Sequence, residues 1–203
     1  MAVTPAAHSS HASRSITLDS EDRVRVPRSA AYSAALLRIS LGLVYLWAFL
    51  SQAFGISYSN TAGDIPGQKT SYGWHFSINA DNGWVSSGFA HSPTAGYVDK
   101  THGPLAFIPQ DLSTGLDDLF WMAAIGGLGI ALTLGILMNI AGIGGFLLNV
   151  ILWFSTFPPS SNPIVDGTHT IYALVLLLLM FLHAGNKWGF GRWWSSLTPR
   201  FLH

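Results

Sequence analysis

Four long apolar runs decide what this chain can become. They cover residues 33–56, 119–137, 140–157 and 168–185; the second reads "LFWMAAIGGLGIALTLGIL". A helix needs about 17–25 apolar residues to cross a bilayer core, and each run meets that length. A helix on the surface of a soluble protein keeps a polar face, and these runs leave none, so a soluble helical core protein is the weaker reading. Charge is scarce to match. Only 10% of the 203 residues are charged, against about 25% in ordinary soluble domains.

Composition also excludes several functions. Ten basic and ten acidic residues cancel, and no basic cluster offers phosphate contacts, so nucleic acid is not an expected partner. The chain has no cysteine. That rules out a disulfide framework, iron–sulfur ligation, a thiolate metal site and a dithiol relay within it.

The expected fold is an all-α membrane protein, a bundle of four transmembrane helices. Residues 1–32 read as a disordered polar tail, 33–186 as the membrane domain and 187–203 as an interfacial tail. The tail is not expected to act as a secretory signal, because the run after it is too long, contains Arg38 and lacks a small-residue cleavage pattern. Arg14, Arg23, Arg25 and Arg28 precede span 1, and Lys187, Arg192 and Arg200 follow span 4. The opposite side carries only Lys69 and Lys100. Positive residues favour the cytoplasm, so both termini are expected there, in a multi-pass bacterial plasma-membrane protein. Segment 57–118 becomes a long external loop. Its aromatics, including Tyr58, Tyr72, Trp74, Phe76, Trp84, Phe89, Tyr97 and Phe107, suggest a folded cap at headgroup level. A short interfacial helix is expected before span 2.

Small residues recur every fourth position on span 2, at Ala123, Gly127, Ala131 and Gly135, and on span 3 at Ala141 and Gly145. Helices in lipid associate by close packing along such rails. With Met138 and Asn139 as a two-residue link, spans 2 and 3 are expected to form a hairpin packed on them. The "GIGG" of 142–145 follows no strand and is not a phosphate loop.

The polar residues inside or beside the spans are the site candidates. Arg38, about one and a half turns into span 1, is an intramembrane charge. It either has a function, snorkels to the headgroups or pairs with polar groups at the span 4 exit, such as His183 or Asn186. Gln52 and Trp47 lie toward the external half of span 1, and Asn149 lies mid-span 3. Their amides either bridge helices or face a small-molecule pocket. Asp166 and His169, three apart, share a helix face if both are helical. They suit a proton relay or two metal ligands. Asp166 or Thr168 equally suits a helix N-cap, where negative charge is favoured. His169 and His183 both lie on span 4, and spans 1 to 3 hold no histidine, so a bis-His haem cannot be built here. His75, His91 and His102 lack ligand spacing, and no metal is expected. Trp188, Trp193 and Trp194 with Arg192 read as an interface anchor.

Several stretches resemble one family. "LLRISLGLVYLWAFLSQAFG" (36–55) resembles the first span of DoxX-type membrane proteins, in their actinobacterial form. "SPTAGYV" (92–98) resembles their loop motif, "NPIVDGTHTIYALVLL" (162–177) their last span and "WGFGRWW" (188–194) their tail. The chain departs from the pattern in a longer 57–83 stretch, in Phe89, Ala90 and His91 before the Ser-Pro-Thr, and in Asn139 at the span 2–3 turn. The resemblance implies a four-helix membrane bundle and a redox setting. DoxX and DoxD relatives include a subunit of an archaeal thiosulfate:quinone oxidoreductase, and mycobacterial relatives are linked to a membrane assembly handling oxidative and thiol stress.

Two functional expectations follow. One is a subunit of a quinone-linked, respiratory-type redox complex. Menaquinone or another quinone would sit near the external ends of spans 1 and 4, beside Gln52, Trp47, Asp166 and His169, with electrons carried by the quinone or a partner chain. The other is a non-catalytic accessory subunit packed against a larger membrane assembly.

Overall fold

Apolar residues on every face make helices that bury their backbone bonds internally, the arrangement lipid demands. The computed structural model describes residues 27–59, 75–111, 115–159, 164–165 and 167–197. Its elements run α1 (Arg28–Phe54), β1 (Ile56–Ser59), β2 (His75–Ile78), a 3-10 turn (Ala80–Asn82), α2 (Ala95–Val98) and α3 (Phe107–Asp111). Then follow α4 (Gly115–Leu134), α5 (Met138–Ser155), α6 (His169–Phe181), a second 3-10 turn (Ala184–Asn186) and α7 (Gly191–Leu197). Helices α1, α4 and α5 are long and apolar enough to cross a membrane. Helix α6 is apolar but has 13 residues, about 20 Å at the helical rise.

The fold differs from expectation at several points, each with a local cause. The chain is not purely helical, since β1 and β2 pair antiparallel with Ile56 opposite Ile78 and Tyr58 opposite Phe76. Helix α4 stops at Leu134 because Gly135 takes a left-handed φ of 74°. The link is therefore residues 135–137, and Met138 and Asn139 already belong to α5. Helix α6 ends at Phe181 rather than near 185, because His183 turns the chain with a φ of 47°. A short helix does precede α4, as α3. Most of the polar tail, Tyr72, Trp74 and Asp166 lie outside the described residues.

The helices pair as α1 with α4 and α5 with α6, while the α4–α5 seam is much lighter. Of the small-residue rails expected to join α4 and α5, Gly145 approaches Leu128 of α4, while Gly127 faces open space. The other close approaches are to α1 and α6. A Cβ on Gly126 would meet the Phe49 ring and one on Gly129 would meet Leu46, both on α1. A Cβ on Gly142 would meet Met180 and one on Gly145 would meet Leu176 on α6 and Leu128 on α4. Around Gly127 and Gly144 there is open space. Association in lipid goes where backbones come closest. Here that left Ala123, Gly127 and Ala131 lining a furrow of about 260 Å³ with Ile140, Ala141 and Gly144. The buried centre is built from Leu41, Tyr45, Met122, Ile125, Leu132, Leu176 and Leu179.

Candidate functional site

Two polar constellations occupy opposite ends of the bundle. At one end lies Arg38, wholly buried. The last four carbonyls of any helix lack partners within it, and those of α4 are all answered. Ala131 O accepts from Gly135 N at 2.8 Å and Ile136 N at 3.1 Å, and Leu134 O accepts from Phe190 N at 2.8 Å. Arg38 supplies the other two: Nη1 donates to Leu132 O at 2.5 Å and to Thr133 O at 3.3 Å. Its Nη2 donates to Trp188 O at 2.9 Å and Lys187 O at 3.4 Å. A guanidinium thus sits at the partial negative charge of a helix C-terminus and ties α1, α4 and the segment after α6 together. A side chain on Gly135 would strike the guanidinium, and one on Gly185 would strike Gly135 O. Arg38 thus bonds backbone carbonyls and not the His183 or Asn186 side chains.

At the other end, α2 and α3 are drawn over the mouths of α4 and α5. Asp118, buried in the first turn of α4, accepts on Oδ1 from Ser92 Oγ at 2.8 Å, Thr94 Oγ1 at 2.7 Å and Thr94 N at 3.3 Å. A carboxylate is favoured at a helix N-terminus, and here it also fixes the Ser-Pro-Thr loop. The loop's far side is held by Ser155 O, which accepts from His102 N at 3.0 Å and Gly103 N at 2.8 Å at the end of α5. Between these fixings Tyr97 bridges both helices. Its ring stacks on Trp121 with centroids 6.2 Å apart, and its hydroxyl donates to Leu152 O at 2.9 Å. Trp121 Nε1 in turn donates to Gln52 Oε1 at 2.6 Å.

Beneath Tyr97 lies a cavity of about 350 Å³. Its lining includes Trp121, Phe120, Ile108, Pro109, Leu148 and Leu152, together with Thr94, Asp117 and Ser155. It shares Ala124 and Leu148 with the α4–α5 furrow, so the two hollows adjoin along α4 and α5. Such concave, mainly apolar lining suits a small hydrophobic ligand.

The residues singled out from the sequence are not gathered at one site. Gln52 is engaged by Trp121 on α4, and the shallow pocket it lines contains neither Trp47 nor His169. Trp47 is 41% exposed and meets Phe76 of β2 edge-on at 6.3 Å. His169 is half-buried at the first residue of α6, and Thr168, the N-cap residue, makes no side-chain capping bond. Asn149 joins α5 to α1, its Nδ2 donating to Tyr45 Oη at 2.7 Å and to Gly145 O at 2.7 Å. Trp188 and Trp193 are exposed, and Arg192 with them, while Trp194 is half-buried. Trp188 lies 5.3 Å from Tyr32, over which Lys187 Nζ sits at 5.6 Å. Tyr97, Trp121 and Asp118 were the residues that sequence reasoning missed. Their signal was the Asp pair opening an apolar run, together with an aromatic three residues beyond it and another just past the Ser-Pro-Thr. No protein-family model, curated protein or solved structure matches the chain.

Proposed function

We propose that the chain is a four-span subunit of a quinone-linked membrane redox complex, with both termini cytoplasmic, and that it holds a quinone at the α4–α5 mouth. This places the ligand between the second and third spans instead of between the first and fourth. The cavity beneath the Tyr97–Trp121 stack carries the reading, with the adjoining furrow along α4 and α5. A flat ring suits the aromatic wall, and an isoprenoid tail suits a furrow lined by Ala123, Gly127, Ala131 and Gly144. The lining fits ring and tail better than carbonyl oxygens, because the nearby hydroxyls of Tyr97, Thr94 and Ser155 already donate within the protein. When bound, the quinone would supply two-electron carrier chemistry; this chain's residues would hold and orient it. The resemblance of 36–55, 92–98, 162–177 and 188–194 to DoxX-type proteins supports the redox setting.

A second reading, the accessory subunit, draws on a different observation. Arg38, Gln52 and Asn149 are all consumed in bonds between elements of the bundle, as in a chain whose polar residues serve assembly. One experiment separates the two. The protein is purified in mild detergent, its lipid extract is assayed for menaquinone, and co-purifying proteins are identified. Stoichiometric quinone that is lost on filling the cavity with Leu148→Trp supports the first reading. Equal quinone in both proteins refutes the proposed pocket. A stoichiometric oxidase or reductase alongside a quinone-free chain supports the second.

A further inference from the structure

The β1–β2 pair has an apolar face that the described residues cover only in part, at Ile56 and where Phe76 meets Trp47. Strand side chains alternate between faces, and the register sorts these cleanly. Ile56, Tyr58, Phe76 and Ile78 share one face; Ser57 and Ser77 share the other, their hydroxyls 2.6 Å apart. Phe76 is 62% exposed and Ile78 72%. A lone two-stranded hairpin is marginal in water even with a covered face, and this one would show water its apolar side.

The hairpin's position is fixed, not incidental. Gly55 adopts a left-handed φ of 65°, and its carbonyl accepts from Asn79 N at 3.0 Å; any Cβ there would strike Asn79 O. The closing carbonyls of α1 are taken up just beyond the hairpin, with Gln52 O accepting from Trp84 N at 2.8 Å and Ala53 O from Val85 N at 2.9 Å. The Trp47–Phe76 contact then brings the strands back alongside the last two turns of α1. Depth can be read from α4. The Gln52–Trp121 bond sets the end of α1 level with a residue six positions into α4, about 9 Å inside its end at the helical rise. The hairpin therefore lies beside the flank of α4's level and not above it. Its apolar face also continues an exposed apolar stripe of α1 formed by Leu43, Trp47, Leu50 and Phe54.

We infer that this hairpin is an interfacial element whose Ile56–Tyr58–Phe76–Ile78 face is embedded in the acyl–headgroup boundary of the bilayer. The inference rests on α1 spanning the membrane. Amphipathic elements lie in that boundary with the apolar face some 5–10 Å deep, and aromatic rings favour it. The serine face meets headgroups and water, which also satisfy the free strand edges. The occupant is lipid, since the stripe with which the face is continuous belongs to a membrane-crossing helix.

Because the chain has no cysteine, single-thiol variants can be spin-labelled without background. Labels at Tyr58→Cys and Ile78→Cys, at Ser57→Cys and Ser77→Cys, and at Leu43→Cys on α1 are compared in lipid nanodiscs. The readout is the ratio of collision rates with oxygen and with a water-soluble nickel chelate. The expected ratio is several-fold higher at 58 and 78 than at 57 and 77, approaching that at 43. A low, equal ratio at all four hairpin positions with a lipid-like value at 43 overturns the inference alone. An aqueous value at 43 overturns the membrane placement of α1 and the inference with it.

Discussion

Replacing Arg38 by methionine removes the guanidinium while filling much of its volume, and the structure sets the size of the effect. Two short bonds disappear, to Leu132 O at 2.5 Å and Trp188 O at 2.9 Å, with two longer ones at 3.3 and 3.4 Å. A buried polar group left without a partner costs roughly 1–3 kcal/mol, which applies to Leu132 O; the part-buried Trp188 O loses less. Relief of the cost of burying a charge offsets part of that. A net loss of about 1–3 kcal/mol remains, and at about 2–4 °C per kcal/mol for a chain of this size the midpoint falls by roughly 2–12 °C. The assay is thermal unfolding in lipid nanodiscs followed by tryptophan fluorescence. Arg38→Lys sharpens it. An ammonium keeps the charge but lacks the planar fork that reaches α4 on one side and residues 187–188 on the other, so its midpoint should fall between the other two. A methionine variant melting within about 2 °C of the parent would refute the guanidinium as the C-terminal partner of α4. A lysine variant equal to the parent would refute the role of the fork.

Two further outcomes follow from the packing and the loop. Gly127→Ala should stabilise by up to about 1 kcal/mol through helix propensity, because open space surrounds it. Gly129→Ala, two residues on, should destabilise, since its Cβ would come within 2.8 Å of Leu46; equal melting shifts would show the α1–α4 contact to be misplaced. Asp118→Ala removes the acceptor of three bonds to Ser92 and Thr94. A hydrogen bond to a charged group is worth about 1.5–3 kcal/mol, so amide exchange across 92–98 should accelerate more than tenfold; unchanged exchange in a peptide-resolved measurement would count against the carboxylate as the loop's fixing point.

What could be read from the sequence was set by how local the signal is. Apolar runs located the long helices, because an all-round apolar surface is a property of each segment. Helix ends were displaced where one residue's backbone decided them, as at Gly135 and His183, whose left-handed φ no periodicity reveals. Partner choice was hidden because Gly126 and Gly127 look alike in sequence, and only the assembled bundle shows which meets a neighbour. Arg38 was visible as an anomaly, but its acceptors are main-chain carbonyls, which every residue carries and no motif marks. The hairpin's alternation, "ISYS" and "HFSI", was present but four residues long inside a segment read as loop. The cavity was missed for a related reason. Tyr97, Trp121 and Leu152 lie on three elements, and the attraction of Asp166 and His169 came from their nearness in sequence.

The separation of Arg38 from its acceptors has a consequence for how the protein is made. Leu132 follows it by 94 residues and Trp188 by 150. At about 5–20 residues per second of synthesis, the last acceptor emerges roughly 8–30 s after the arginine. The link to α4 can close once residue 132 has been made, and the link to the segment after α6 only once residue 188 has. The two halves of the guanidinium fork therefore close in order, first on α4 and last on the segment after α6. A chain cut before residue 187 would keep the bonds to Leu132 and Thr133 and lose those to Lys187 and Trp188, leaving the fork half filled.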